Sequence, residues 1–230
     1  MGSTRLPGKH LFDLVGEPML YRLFERVRRA NRLDLAVLAT TVAPKDDCLA
    51  ELAAQSKIPF YRGNEENVLE RYYEAARQFN ADIIVRITAD CPVIDPALID
   101  EMVSFFQAGN YDFARNSLSY PRGMDVEVFS RSSFEKVYQE GIRPYEQEHV
   151  TPYYYQHPEL FKIGPYPKKD FPPYRLTVDT SADFELIRKL YEELYPNNPN
   201  FTLQDIYDTL KAHPDWVLLN AHIAQKNLEE

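Results

Sequence analysis

Apolar residues recur along this chain with two alternating spacings. Leu20, Leu23, Phe24 and Val27 occupy the i, i+3, i+4 and i+7 positions of an amphipathic helix, and Pro18 suits its first turn. The run 33–41 (LDLAVLATT) reads as a buried strand, 46–56 as a second helix and Ile58–Arg62 as a short strand. Residues 66–79 have helical spacing. Asp82–Thr88 (DIIVRIT) is the clearest strand, a β-branched run of the kind buried on both faces of a parallel sheet. Asp95-Pro96 then opens a helix through Phe106. Beyond Tyr111 the pattern predicts strands at Tyr111–Arg115, Asp125–Phe129 and Tyr174–Val178. Helices follow at 131–140, 145–156 and 181–195, with two short ones closing the chain.

Strands alternating with helices imply an α/β fold of three layers, α/β/α, with a mostly parallel sheet. Ligands in such folds bind beyond the carboxyl ends of the strands. No repeat, low-complexity tract or linker interrupts the 230 residues, so a single domain spanning 1–230 is expected.

The formal net charge of −9 disfavours nucleic acid as a partner, which requires a broad basic surface. A small anion received by a local cluster of cations remains compatible with it. No apolar run approaches the roughly 18–20 residues that cross a bilayer, and no signal segment opens the chain. Cys48 and Cys91 are too few for a disulfide scaffold and read as small buried hydrophobes. A soluble, cytoplasmic protein without a membrane partner is expected.

Two features carry candidate chemistry. Residues 1–9 are MGSTRLPGK: Gly2 and Gly8 permit close backbone approach, while Ser3, Thr4, Arg5 and Lys9 add donors and charge. This is a cradle for a triphosphate or, equally, a frayed basic terminus. It is not a Walker A loop, since the glycine spacing differs and His10 follows the lysine. Asp90 and Asp179 each follow a predicted strand, where a carboxylate is placed either to hold Mg²⁺ or to cap a turn. Asp95 and Asp183 fit the capping role better.

The stretches MGSTRLPGK, RGNEENVLERYYEAA, VRITADCPVIDP, YPRGMDVEVF, EHVTPYYY and RLTVDTSADFELI occur in this order. As a set they resemble the cytidylyltransferase family of acylneuraminate and 3-deoxy-manno-octulosonate cytidylyltransferases, and most closely its spore-coat polysaccharide biosynthesis protein F branch. The resemblance implies a Rossmann-like nucleotide-diphospho-sugar transferase fold and transfer of CMP from CTP to an acidic sugar of the nonulosonic type, with release of pyrophosphate, for surface polysaccharide synthesis. It implies that Ser3, Arg5 and Lys9 grip the triphosphate. It implies that Asp90 and Asp179 bind Mg²⁺, the expected cofactor, and that these two acids with Arg5 and Lys9 form the catalytic set. Gly2, Gly8, Asn64, Asn67 and Arg71 would complete the nucleotide site, and Arg122, Asp125, Glu148 and His149 would lie toward the sugar. A homodimer is also implied.

One departure stands out. Relatives of this kind start with a short apolar strand ending in arginine, directly before the methionine that is Met1 here. That strand would be central in the sheet and would aim the phosphate loop. The expectation is an upstream extension of about 8–10 residues, enough for one strand.

No general base is evident. His149 is a candidate because imidazole titrates near neutrality; a histidine bonded within a helical surface beside Glu148 is the simpler reading. Tyr153, Tyr154 and Tyr155 are consecutive and cannot share one helical face, so at least one must reach a second surface. Two other readings are carried forward. A metal-dependent glycosyltransferase would normally bring a D-x-D motif, for which Asp125-Val126-Glu127 is the nearest substitute. A non-catalytic nucleotide- or sugar-binding protein is the other.

Overall fold

The computed structural model describes residues 5–116, 120–167, 169 and 171–224. After a 3-10 turn at Lys9–Leu11, a hairpin pairs β1 (Asp13–Leu14) with β2 (Glu17–Pro18). Val15 at φ 54° and Gly16 at φ 80° supply the two positive angles that a two-residue type I′ connection requires. There follow α1 (Met19–Val27), β3 (Leu38–Thr41), α2 (Asp47–Gln55), β4 (Phe60–Gly63), α3 (Val68–Gln78), β5 (Ile83–Arg86) and α4 (Pro96–Gly109). Next come β6 (Phe113–Arg115), β7 (Glu127–Ser130), α5 (Arg131–Glu140), α6 (Pro144–His149), α7 (Pro152–Gln156) and β8 (Ile163–Gly164). The last helices are α8 (Ser181–Leu194), α9 (Leu203–Ala212) and α10 (Pro214–Val217).

The alternation of side chains across β5, β7 and β6 separates two apolar layers. Ile84, Phe129 and Phe113 face α3, α5 and α7, packing on Leu69, Phe134, Val137 and Tyr154. Val85, Val128 and Ala114 face the other way, toward Leu98, Ile99 and Met102 of α4 and Leu186 and Ile187 of α8. The expected three layers result. Helix starts obey local chemistry: Asn67, Asp95 and Ser130 each accept a backbone N–H of the helix they precede, and Thr180 forms a reciprocal capping box with Asp183.

Four details differ from the sequence reading. The sheet is mixed rather than mostly parallel: β3–β4 and β6–β8 are parallel, but β7 runs antiparallel to both β5 and β6. The predicted helix 145–156 is broken into α6 and α7 at Val150, whose φ of 73° no helix accepts. Tyr174–Val178 is not a laddered strand; its pairing is a single parallel bridge, Arg122 with Arg175. Of the predicted strand 33–41 only Leu38–Thr41 forms a ladder, with β4 on one side.

The last difference has a physical cause. The second edge of β3 faces the second edge of β5 across a cavity of about 660 Å³, lined by Leu35, Val37, Leu38, Ile83, Val85 and Ile87 among others. Among the described residues neither edge has a strand partner on that side. The ladder is therefore interrupted between β3 and β5.

Candidate active site

Three distant segments meet beyond the carboxyl end of β5. The strand direction continues through Ile87 and Thr88 to Asp90, and the Thr88 hydroxyl donates to Asp90 Oδ1 at 2.5 Å. Residues 174–178 then run beside 121–124 and deliver Asp179 to the same place. Arg122 N donates to the Tyr174 carbonyl (3.1 Å), Leu176 N to the Arg122 carbonyl (2.7 Å) and Val178 N to the Asp90 carbonyl (2.8 Å). This approach depends on Gly123. Its φ is 96°, and a Cβ there would lie 2.5 Å from the Leu176 carbonyl carbon.

The third segment is the basic N-terminal turn. Gly8, at φ 73°, starts the 3-10 turn and directs Lys9 inward, where it is 5% exposed. Its ammonium donates to the Val178 carbonyl at 2.5 Å and to Asp179 Oδ1 at 3.3 Å, and lies 3.6 Å from Asp90 Oδ2. One cation therefore touches both strand-end carboxylates. Asp179 Oδ2 is held in addition by Arg5 (3.1 Å) and Arg175 (2.7 Å). Burial pushes the Asp90 carboxyl up, but Lys9 and Thr88 outweigh it and hold the group below its ordinary range. Asp125 goes the other way: burial raises it, only partly offset by Arg122 and the Gly123 N–H, with Glu127 and Asp90 as like-charged neighbours.

Arg175 was not singled out in the sequence. It is a strand-like four residues ahead of Asp179, which places both on one side of the segment; that spacing was the available signal. Its Nε also donates to Asp183 Oδ1 at 2.8 Å, and Asp183 accepts the Asp179 and Thr180 backbone N–H groups. Asp183 thus acts as the expected helix cap and fixes the loop that carries Asp179. Asp95 is likewise a cap, accepting Ala97 N at 2.9 Å.

The remaining expected site residues fare unequally. Gly2 and Ser3 lie outside the described residues. Asn67 spends its side-chain oxygen on capping α3, and Asn64 accepts Glu66 N at 3.0 Å in an exposed turn. Arg71 donates to the Asn64 carbonyl at 2.6 Å, and its Nε is buried without a partner. These three sit together after β4. Arg122 lies 3.9 Å from Asp125, close to the carboxylate pair. Glu148 is exposed and His149 half-buried at the end of α6; among the described residues neither side chain makes a hydrogen bond or ion pair to the site.

His10 is a further neighbour of Lys9. Burial, then the Lys9 charge, pushes its imidazole down to about 4, and Nδ1 is buried unpartnered. The folded value lies below the roughly 6.5 of an unfolded histidine, so the unfolded chain takes up the proton first as pH falls. The stability held above pH 6.5 is therefore lost progressively toward pH 4. Urea titrations at pH 7 and pH 5 should differ by about 2 kcal/mol from this group, and His10→Gln should remove most of that difference.

The donor set suits a hard divalent cation. Two carboxylates with a carbonyl and a hydroxyl beside them are oxygen ligands, and Mg²⁺ takes one or two protein carboxylates and completes its shell with phosphate and water. No group of three or more acidic, histidine or cysteine side chains converges among the described residues.

The fold is that of the Rossmann-like nucleotidyltransferases. The family model described as cytidylyltransferase matches residues 1–205, and the chain belongs to that family. It is 32% identical to the spore coat polysaccharide biosynthesis protein SpsF of Bacillus subtilis, covering 94% of this chain and 92% of that one. It is 36% identical to the 3-deoxy-manno-octulosonate cytidylyltransferase of Trichlorobacter lovleyi over 46% of this chain and 41% of that one. A solved cytidylyltransferase from Leptospira borgpetersenii superposes with a TM-score of 0.90 at 35% identity, covering 98% of this chain and 95% of that one. No helix among the described residues is long and apolar enough to cross a membrane.

Proposed function

We propose that the chain transfers CMP from CTP to an acidic sugar of the nonulosonic type, releasing pyrophosphate, with Mg²⁺ held by Asp90 and Asp179. The observation that carries this reading is the single Lys9 ammonium lying within 3.3 Å of Asp179 and 3.6 Å of Asp90. Residues from positions 9, 90 and 179 are thereby gathered where strand ends place ligands in this fold class. The 3-deoxy-manno-octulosonate cytidylyltransferase relative supports a cytidine nucleotide and a keto-sugar acid as acceptor, and the SpsF relative supports a part in polysaccharide synthesis; the nonulosonic acid follows from the resemblance alone.

Such a transfer asks little covalent chemistry of the protein; positioning and charge neutralisation carry it. A sugar hydroxyl attacks the α-phosphorus and pyrophosphate leaves. Arg5 and Lys9, both beside Asp179, would stabilise negative charge on the departing group. Bound Mg²⁺ would supply Lewis-acid polarisation of phosphate oxygens. Arg175 and Asp183 keep Asp179 facing the same point.

The glycosyltransferase reading has no D-x-D motif in the sequence; Glu127, in its nearest substitute, is bonded to Arg86 at 2.7 Å and to the Thr151 hydroxyl at 2.9 Å. The direct test is pyrophosphate release with each of the four nucleoside triphosphates against a panel of keto-sugar acids. Release only with CTP and one acid supports the reading; release from no combination ends it.

A further inference from the structure

Three charged residues lie abreast on the face of the sheet that α3 and α7 cover. The register pairs Arg86 of β5 with Glu127 of β7, and Glu127 with Arg115 of β6. Side chains directly opposite one another share a face, so the row reads arginine, glutamate, arginine. Both Glu127 oxygens are occupied, by Arg86 and by Thr151. Arg115 is left over. It is half-buried, its guanidinium lies 4.2 Å from the centre of the Tyr155 ring, and among the described residues no carboxylate lies within ion-pair distance of it. Arg86 Nε is also buried without a partner. The row carries one more positive charge than negative, and Arg115 is met by the Tyr155 ring rather than by a carboxylate.

The surrounding backbone maintains this arrangement at some strain. Val150 has φ 73° and ψ −48°, where a β-branched residue is an outlier, and it is fully buried. The next residue is Thr151, whose hydroxyl donates to the second Glu127 oxygen at 2.9 Å. Outliers of this kind persist where surrounding structure enforces them, often at ligand sites.

The row adjoins the carboxylate pair. One pleat further along β5, about 7 Å, stands Thr88, the residue that donates to Asp90. In the continued antiparallel register it is opposite Asp125, whose neighbours in charge include both Glu127 and Asp90. A polar stripe therefore leads from the metal-binding pair to Arg115.

We propose that Arg115, backed by the Arg86–Glu127 pair, receives the carboxylate of the acidic acceptor. This rests on the acceptor class proposed above. Tyr155 supplies a flat wall under the guanidinium, and Glu127 prevents Arg86 from competing for Asp125. A planar guanidinium matches a carboxylate with two parallel N–H donors, which a lysine cannot reproduce.

The test measures binding and turnover separately. Calorimetry with a non-hydrolysable CTP analogue and Mg²⁺ present compares 3-deoxy-manno-octulosonate and N-acetylneuraminate with their methyl esters. Wild-type protein should bind at least one acid and discriminate against its ester by roughly 30-fold, the size of a charge-assisted hydrogen bond. Arg115→Gln should abolish that discrimination and raise the acceptor KM by a similar factor. Arg115→Lys should recover part of it, and the KM for CTP should stay within about two-fold. Thermal melting of both variants checks that the fold is intact. Unchanged discrimination in Arg115→Gln overturns the proposal, as does a raised KM for CTP instead, which would assign the guanidinium to phosphate. Failure of the wild-type protein to bind either acid also overturns it. Absence of pyrophosphate release despite Arg115-dependent binding of an acid would instead count against the transfer reaction alone.

Discussion

Asp90→Asn and Asp179→Asn are each expected to lower CTP turnover by about 10²–10³-fold, as does removal of one stabilising group in other preorganised sites. The two substitutions should act differently on the free protein. Asp90 keeps the Thr88 hydroxyl donor when it becomes an amide, and Lys9 retains Asp179, so little unfolding should follow. Asp179 balances Arg5, Lys9 and Arg175 at once. Its amide would leave one negative charge fewer among three cations, and melting should fall by several degrees as well. If both acids hold one metal under the triphosphate, the double variant should be scarcely worse than either single one, because residues acting as a unit are not additive. Near wild-type turnover in either single variant would remove the metal argument.

Lys9→Met is the second large effect. Lys9 is 5% exposed and its ammonium touches one carbonyl and two carboxylates, so its loss leaves Asp90 without its cation. Removing one partner of a buried pair costs about 3–5 kcal/mol; the partial exposure of Asp90 lowers the expectation to about 2–3 kcal/mol. For a chain of this size that is roughly 5–10 °C in Tm. Linkage gives the sign of its pH dependence. Asp90 is held below its ordinary value, so the contribution of the pair is present at neutral pH and is lost as pH falls through the acid range. The melting difference between wild type and Lys9→Met should therefore shrink toward pH 3. Millimolar Mg²⁺ should raise the melting temperature of Lys9→Met more than that of wild type, since a divalent cation then meets two carboxylates with no competing ammonium. A Mg²⁺ response equal in the two proteins would contradict this.

The parts of the site that the sequence disclosed are those governed by local rules. A β-branched run ending in Thr-Ala-Asp marks a strand end and so located Asp90; its role as a metal ligand came from the resemblance. Asp95 and Asp183 were legible as caps because a cap is read from its own neighbours. What stayed hidden depends on contacts between distant positions. The meeting of Lys9 with Asp90 and Asp179 is fixed by Gly123 and by the backbone bonds of 174–178, neither of which has a local pattern. The same segment was mistaken for a strand because its apolar alternation, Leu176 and Val178 inward, is real while its ladder is not. Direction was also hidden: the run Glu127–Ser130 carries no mark of its direction, and β7 runs antiparallel to β5 and β6. The Arg86–Glu127–Arg115 row needs the register of three strands, and no single-sequence period contains it. The tyrosine run was partly readable. Tyr153 and Tyr154 fill the core, whereas Tyr155 reaches a second surface, under Arg115.

The most direct test of the whole account is metal uptake at the two aspartates. Mn²⁺, standing in for Mg²⁺, is titrated into wild-type protein and the Asp90→Asn/Asp179→Asn double variant, and free Mn²⁺ is counted by electron paramagnetic resonance with and without CTP. The predicted result is a bound ion in the wild type that tightens with CTP, and none above the CTP-alone background in the double variant. Equal Mn²⁺ binding by the two proteins in the presence of CTP would contradict it.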